Sequence, residues 1–71
     1  MAEDIRVRFG ERVRKLRKQR GWTQVELAER LGIDRSYLAD VERGKRNISL
    51  VNIELIANGF AISIAQFFSR L

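Results

Sequence analysis

A Ser, Thr or Asp recurs just before the segments of this chain whose apolar residues return every three or four positions, at Thr23, Asp34, Ser49 and Ser63, and Asp4 opens the first segment. An oxygen in that place accepts from one of the backbone N–H groups that a helix leaves open at its start. Two of these starts are complete capping boxes, Thr23-x-x-Glu26 and Ser63-x-x-Gln66. Gly21, Gly32 and Gly44 follow the first three segments, where a left-handed stop belongs. No segment carries a strand's two-residue alternation; Ile62-Ser63-Ile64 is too short to count. The chain is predicted to be all-α, a compact five-helix domain over residues 1–71 with helices at about 4–20, 24–31, 35–43, 50–59 and 64–70.

The expected core is Phe9, Val13, Leu16, Leu27, Leu31, Leu38, Val41, Ile48, Ile56, Phe60 and Ile64. Gly10 lies inside the first helix and costs about 1 kcal/mol relative to Ala, so that helix is expected to fray at its first turn. Only Ile33 and Asp34 separate Gly32 from Arg35, and so tight a joint forces two short helices to cross steeply.

What this object meets is read from its charge. Fourteen Lys and Arg face nine Asp and Glu, a net of +5. The whole excess falls in residues 1–22, and the remainder is neutral. One cationic end points to a polyanion, with a merely solubilising helix face as the alternative. The chain has no His and no Cys, so the common zinc sets, a disulfide and a His- or Cys-based catalytic centre are all excluded. No metal, cofactor or small-molecule ligand is expected, and no enzymatic activity. The N-terminal stretch MAEDIRVRF starts acidic and has no long apolar run, so neither a signal peptide nor a membrane partner is expected, and the cytoplasm is the default location.

The second and third segments carry the functional pattern. At about 100° per residue, Ser36 and Arg43 lie opposite the Leu38/Val41 face of the third helix. Ala39 and Asp40 lie near that same outer direction, with Arg35 and Tyr37 flanking it at the front. A small, polar outer face with longer side chains at its leading end suits a helix lying in a DNA major groove.

The run TQVELAERLGIDRSYLADVERGKRN resembles the helix-turn-helix of the phage repressor/Cro superfamily, whose fold is lambda-repressor-like. Its marks are the T-Q-x-E-L-A start, a Gly nine positions into the motif and the closing E-R-G-x-R-N. The further run I-D-R-S-Y-L…E-R-G-K-R-N-I-S-L and the length are similar to controller proteins of restriction–modification operons. The resemblance implies a sequence-specific regulator, acting as a homodimer on palindromic operators to activate and repress transcription. RNA polymerase is then a further partner. An antitoxin or phage-type repressor, whose C-terminal face binds another protein, is the alternative.

Carried onto this chain, the resemblance implies base contacts from Arg35, Ser36, Tyr37 and Arg46. It implies phosphate contacts from Gln24, Arg17, Arg43, Lys45 and Asn47. Arg35 suits guanine O6/N7 or a phosphate. Tyr37 either packs on a thymine methyl or sugar, or is a partly buried ring with a satisfied hydroxyl. Asp40 repels phosphate, and either accepts from cytosine N4 or, as favoured here, neutralises Arg43. Arg17 and Glu42 fall where the family pairs its first helix with the end of the recognition helix, implying a structural ion pair. Arg12, Arg14, Lys15, Lys18 and Arg20 would add diffuse attraction, although only some of these side chains can face the duplex.

Leu50, Ile53, Phe60, Ile62, Phe67, Phe68 and Leu71 exceed what one small core can hide, and they form the expected dimer interface. Many family members place Gly just after the fourth helix. Here Asn58-Gly59-Phe60-Ala61-Ile62 puts it inside the helix end, so either an early stop or a strained Ala61 is expected.

Overall fold

The computed structural model describes residues 3–71; Met1 and Ala2, part of the expected domain, lie outside the described residues. Helix α1 spans Ile5–Gln19, α2 Gln24–Leu31, α3 Arg35–Glu42, α4 Leu50–Gly59 and α5 Ile64–Phe68. The ends are tighter than the sequence suggests. Helix α1 stops at Gln19 because Arg20 caps it, and α3 stops at Glu42 because Arg43 does. Helix α5 ends at Phe68, short of 70.

Every start has its cap. The Asp4 carboxylate accepts from the Arg6 amide at 2.8 Å, and the Ser49 hydroxyl from the Asn52 amide at 3.2 Å. Both capping boxes close in both directions. The Glu26 amide donates to Thr23 Oγ1 (3.1 Å), and Glu26 Oε1 accepts from the Thr23 amide (2.9 Å). The Gln66 amide donates to Ser63 Oγ (3.0 Å), and Gln66 Oε1 accepts from the Ser63 amide (2.9 Å).

The core is Phe9, Val13 and Leu16 of α1, Leu27, Ala28 and Leu31 of α2, Leu38 and Val41 of α3, and Ile56 and Ala57 of α4, closed by Phe60 and Phe67. Phe9 and Phe67 pack at 4.7 Å between ring centres. Ile64, expected inside, is 43% exposed, and Ile48 only leans on the core. Phe67 fills the place foreseen for Ile64. Helix α5 is anchored by its last turn, so its first residue is left outside.

Two glycines are explained by packing. A Cβ on Gly10 would lie 2.7 Å from the Glu42 carbonyl oxygen and closer still to that of Val41. Gly10 is buried, and α1 is helical from Ile5 through it. The residue whose absent side chain lets α1 and α3 touch backbone to backbone is Gly10. Likewise, a Cβ on Gly59 would run into the Leu31 side chain. Gly59 therefore stays in α4 for the sake of contact with α2, and the left-handed turn after it falls on Ala61, at φ 57°.

Candidate nucleic-acid interface

Helices α2 and α3 meet across a three-residue turn. Gly32 adopts φ 69°, and the Ile33 amide returns to the Ala28 carbonyl at 3.0 Å. Asp34 then starts α3 by accepting from the Ser36 amide at 2.7 Å. The Ser36 hydroxyl donates to the same carboxylate. These bonds, the hydroxyl's first and the amide's second, hold the Asp34 carboxyl below the usual range, so it stays ionised. Arg35 and Ser36 are exposed at the leading end of α3.

Tyr37 is half-buried against the core, and its hydroxyl accepts from Asn52 Nδ2 of α4 at 3.0 Å. The Arg46 guanidinium lies over its ring, 5.1 Å from the centre. Ala39, placed on the outer face by helical spacing, is buried instead, because α3 is flanked by both α1 and α2. Asp40 receives Arg43 on Oδ1 and, at 3.5 Å, Arg46 on Oδ2. The Arg43 hydrogen bond is the chief reason its carboxyl sits below the ordinary range. Arg43, Lys45, Arg46 and Asn47 are exposed around this point.

A single carboxylate fastens this surface from behind. Arg17 Nε donates to Glu42 Oε2 at 2.7 Å and Arg17 Nη2 to Oε1 at 3.0 Å. Gln24 Nε2 also donates to Oε1 at 3.0 Å. Arg17 Nη1 reaches the Trp22 carbonyl at 2.9 Å. Only 11% of the Arg17 side chain and 4% of the Glu42 side chain are exposed. Arg17 is thus committed inward on all three nitrogens, and its reading as a phosphate contact does not fit this geometry. Gln24 is half-buried, shares the same carboxylate and lines a notch rimmed by Arg14 and Arg43.

Two of the cations in residues 1–22 are engaged within the fold, although each keeps its charge. Arg12 donates to the Phe67 and Gln66 carbonyls at the end of α5 (3.1 and 3.3 Å). Arg20 donates to the Phe60 carbonyl at 2.6 Å. Both serve as C-terminal caps, which leaves Arg14, Lys15 and Lys18 exposed on α1. Arg14, read from the sequence only as diffuse charge, is the one that borders the Gln24 notch. Its spacing three residues before Arg17 on one helix was the available signal.

The apolar patch lies on α4 and α5. Leu50 is 83% exposed and Val51 76%. With Ile53, Ile64 and Phe68 they line a shallow apolar groove bordered by Glu54. Phe60 and Phe67 belong to the interior, at 0% and 1% exposure, so neither is available to a second chain. Ile62 packs on the core, and Leu71 lines a separate polar groove beside α1. Val51 and Ile64 were not foreseen there. Among the described residues, no cluster of metal-ligating side chains occurs and no helix is long and apolar enough to cross a membrane.

A helix-turn-helix family model matches residues 13–67. The chain is 43% identical over 69 residues to control protein C.MunI from a Mycoplasma species, covering 96% of this chain and 93% of that one. The crystal structure of the restriction-modification controller protein C.AhdI from Aeromonas hydrophila superposes with a TM-score of 0.83 at 48% identity, over 89% of this chain and 96% of that one. The tetramer of controller protein C.Esp1396I in complex with its natural 35 base-pair operator matches with a TM-score of 0.85 at 31% identity, over 96% of this chain and 90% of that one.

Proposed function

Since the chain belongs to the helix-turn-helix family and is a DNA-binding regulator of the restriction–modification controller type, not an enzyme, we propose that it works as a homodimer on a palindromic operator. One domain, residues 3–71 as described, suffices for this reading. The observation that carries it is α3: its leading end, Arg35 and Ser36, is exposed, while its trailing end is fixed to α1 and α2 through Glu42. A helix so mounted can enter a major groove without losing its own support.

In this reading Arg35 reads guanine, Ser36 and the half-exposed Tyr37 meet neighbouring base edges or sugars, and Arg46 reaches a base from the loop. Gln24, Arg43, Lys45 and Asn47 hold phosphates, with Arg14 added at the notch. Leu50, Val51, Ile53, Ile64 and Phe68 meet their copies across a two-fold axis. That places the two α3 helices in successive major grooves about 34 Å apart. Bound upstream of a promoter, the dimer recruits RNA polymerase; bound over it, the dimer blocks transcription. Its place of work is the cytoplasm, with the DNA.

Selection from a randomised duplex pool tests the assignment. Arg35→Ala changes the selected bases. Lys45→Ala weakens all sequences alike and flattens the salt dependence by about 0.9 in log–log slope. An unchanged preference for Arg35→Ala refutes the readout. Val51→Lys, checked by sedimentation, yields monomers; a persistent dimer refutes the interface.

A further inference from the structure

An acid on the DNA-facing side of a basic protein needs a reason. Asp40 is one: its carboxylate holds two arginines at once, Arg43 from its own helix and Arg46 from the following loop. Arg46 is held a second time by the Tyr37 ring beneath it, and Tyr37 is held in turn by Asn52. Two cations that would otherwise reach for whatever phosphate lies nearest are thereby held in set positions on the surface of α3, Arg43 for its operator phosphate and Arg46 for a base.

We propose that Asp40 is a specificity-positioning residue: it restrains Arg43 and Arg46 so that indiscriminate attachment to the backbone is weakened and Arg46 stays poised over Tyr37 for a base. This rests on the DNA-binding reading above. Phosphate attraction is independent of sequence and supplies most of non-specific affinity. Base contacts supply discrimination. A carboxylate competing with phosphate for two guanidinium groups lowers the first more than the second.

The test is Asp40→Asn. Its carboxylate pairs with Arg43 and Arg46 at the surface, and Asn preserves its size. Binding is measured against a random-sequence duplex and against the best selected duplex, each over a salt series. The variant binds the random duplex about tenfold more tightly, with a salt slope steeper by roughly 0.9 for each arginine released. The ratio of selected to random affinity falls. Glu29→Gln, which removes an equal charge from the exposed face of α2, leaves that ratio unchanged. In an Arg43→Ala/Arg46→Ala background, Asp40→Asn loses its effect on the ratio.

Equal gains on both duplexes, or no change in slope, overturn the proposal and reduce Asp40 to simple repulsion. If Asp40→Asn melts early, Asp40→Ser carries the same comparison. Failure of the unaltered protein to bind any duplex at low salt overturns the DNA reading instead.

Discussion

Replacing Gly10 by Ala reverses the usual effect of that substitution. On a free helix face it stabilises by about 1 kcal/mol, because Gly is the poorer helix former. Here the new methyl would stand 2.7 Å from the Glu42 carbonyl oxygen and 2.9 Å from its carbon, with the Val41 oxygen nearer still. All three are backbone atoms of α3, so no side chain can swing aside. The helices must part by roughly 1 Å to restore ordinary contact, and overpacking of this kind costs about 1–3 kcal/mol. The same displacement draws Glu42 away from Arg17, now at 2.7 and 3.0 Å. Because the clash is with unyielding backbone, the upper end of that range, about 3 kcal/mol, applies, and less the propensity gain of about 1 kcal/mol it leaves a net loss of about 2 kcal/mol. For a chain of this length that lowers the melting temperature by roughly 8–16 °C. Thermal unfolding followed by far-ultraviolet circular dichroism measures it. Both proteins are held at one concentration, since self-association shifts the midpoint. A variant melting at or above the parent would show that α1 and α3 do not rest on one another as described.

Three further outcomes are expected. Glu42→Ala leaves the inward-turned Arg17 without its partner and lowers stability by about 3–5 kcal/mol in denaturant unfolding; a loss below 1 kcal/mol would mean the pair is solvated. Ala61→Gly relieves a left-handed residue at φ 57° and raises stability by about 1 kcal/mol in the same assay; a loss would place the strain elsewhere. Acid stability follows from the capping carboxylates, whose folded values lie below their ordinary ones: Asp4 falls from 3.8 to about 2 through its bonds to Arg6, and Asp34 and Glu26 are also lowered. Their contribution is full above the ordinary values, 3.8 for the two Asp and 4.5 for Glu26, and is lost as the pH falls below them, for Asp4 through about 2. With no His in the chain, the melting temperature stays level between about pH 5 and 8. A fall beginning near pH 6 would contradict this.

The helix starts were legible because a cap is a local device. Thr23 with Glu26, and Ser63 with Gln66, need only their own neighbours. The apolar stripe of α1 was legible for the same reason. What could not be read was which apolar residues a second chain would cover. Phe60 and Phe67 look like surplus beside Leu50 and Phe68, because periodicity reports a shared face and not how deep it lies. Gly10 and Gly59 were opaque because their neighbours, the α3 backbone and Leu31, are remote in the chain. Which cations of the first segment turn inward was not legible, because the carbonyls that receive Arg12 and Arg20 appear only after α5 and the end of α4 are in place.

Glu42 binds donors from α1 and α2 while belonging to α3. Three helices pinned at one point leave the reading head little freedom to reshape itself around a poorly fitting groove. In the proposed complex, adjustment would then pass to the duplex, which would bend or narrow to suit a stiff reader. If the chain acts as the proposed dimer, sites with easily kinked pyrimidine–purine steps between the half-sites would gain affinity at base pairs that no side chain touches.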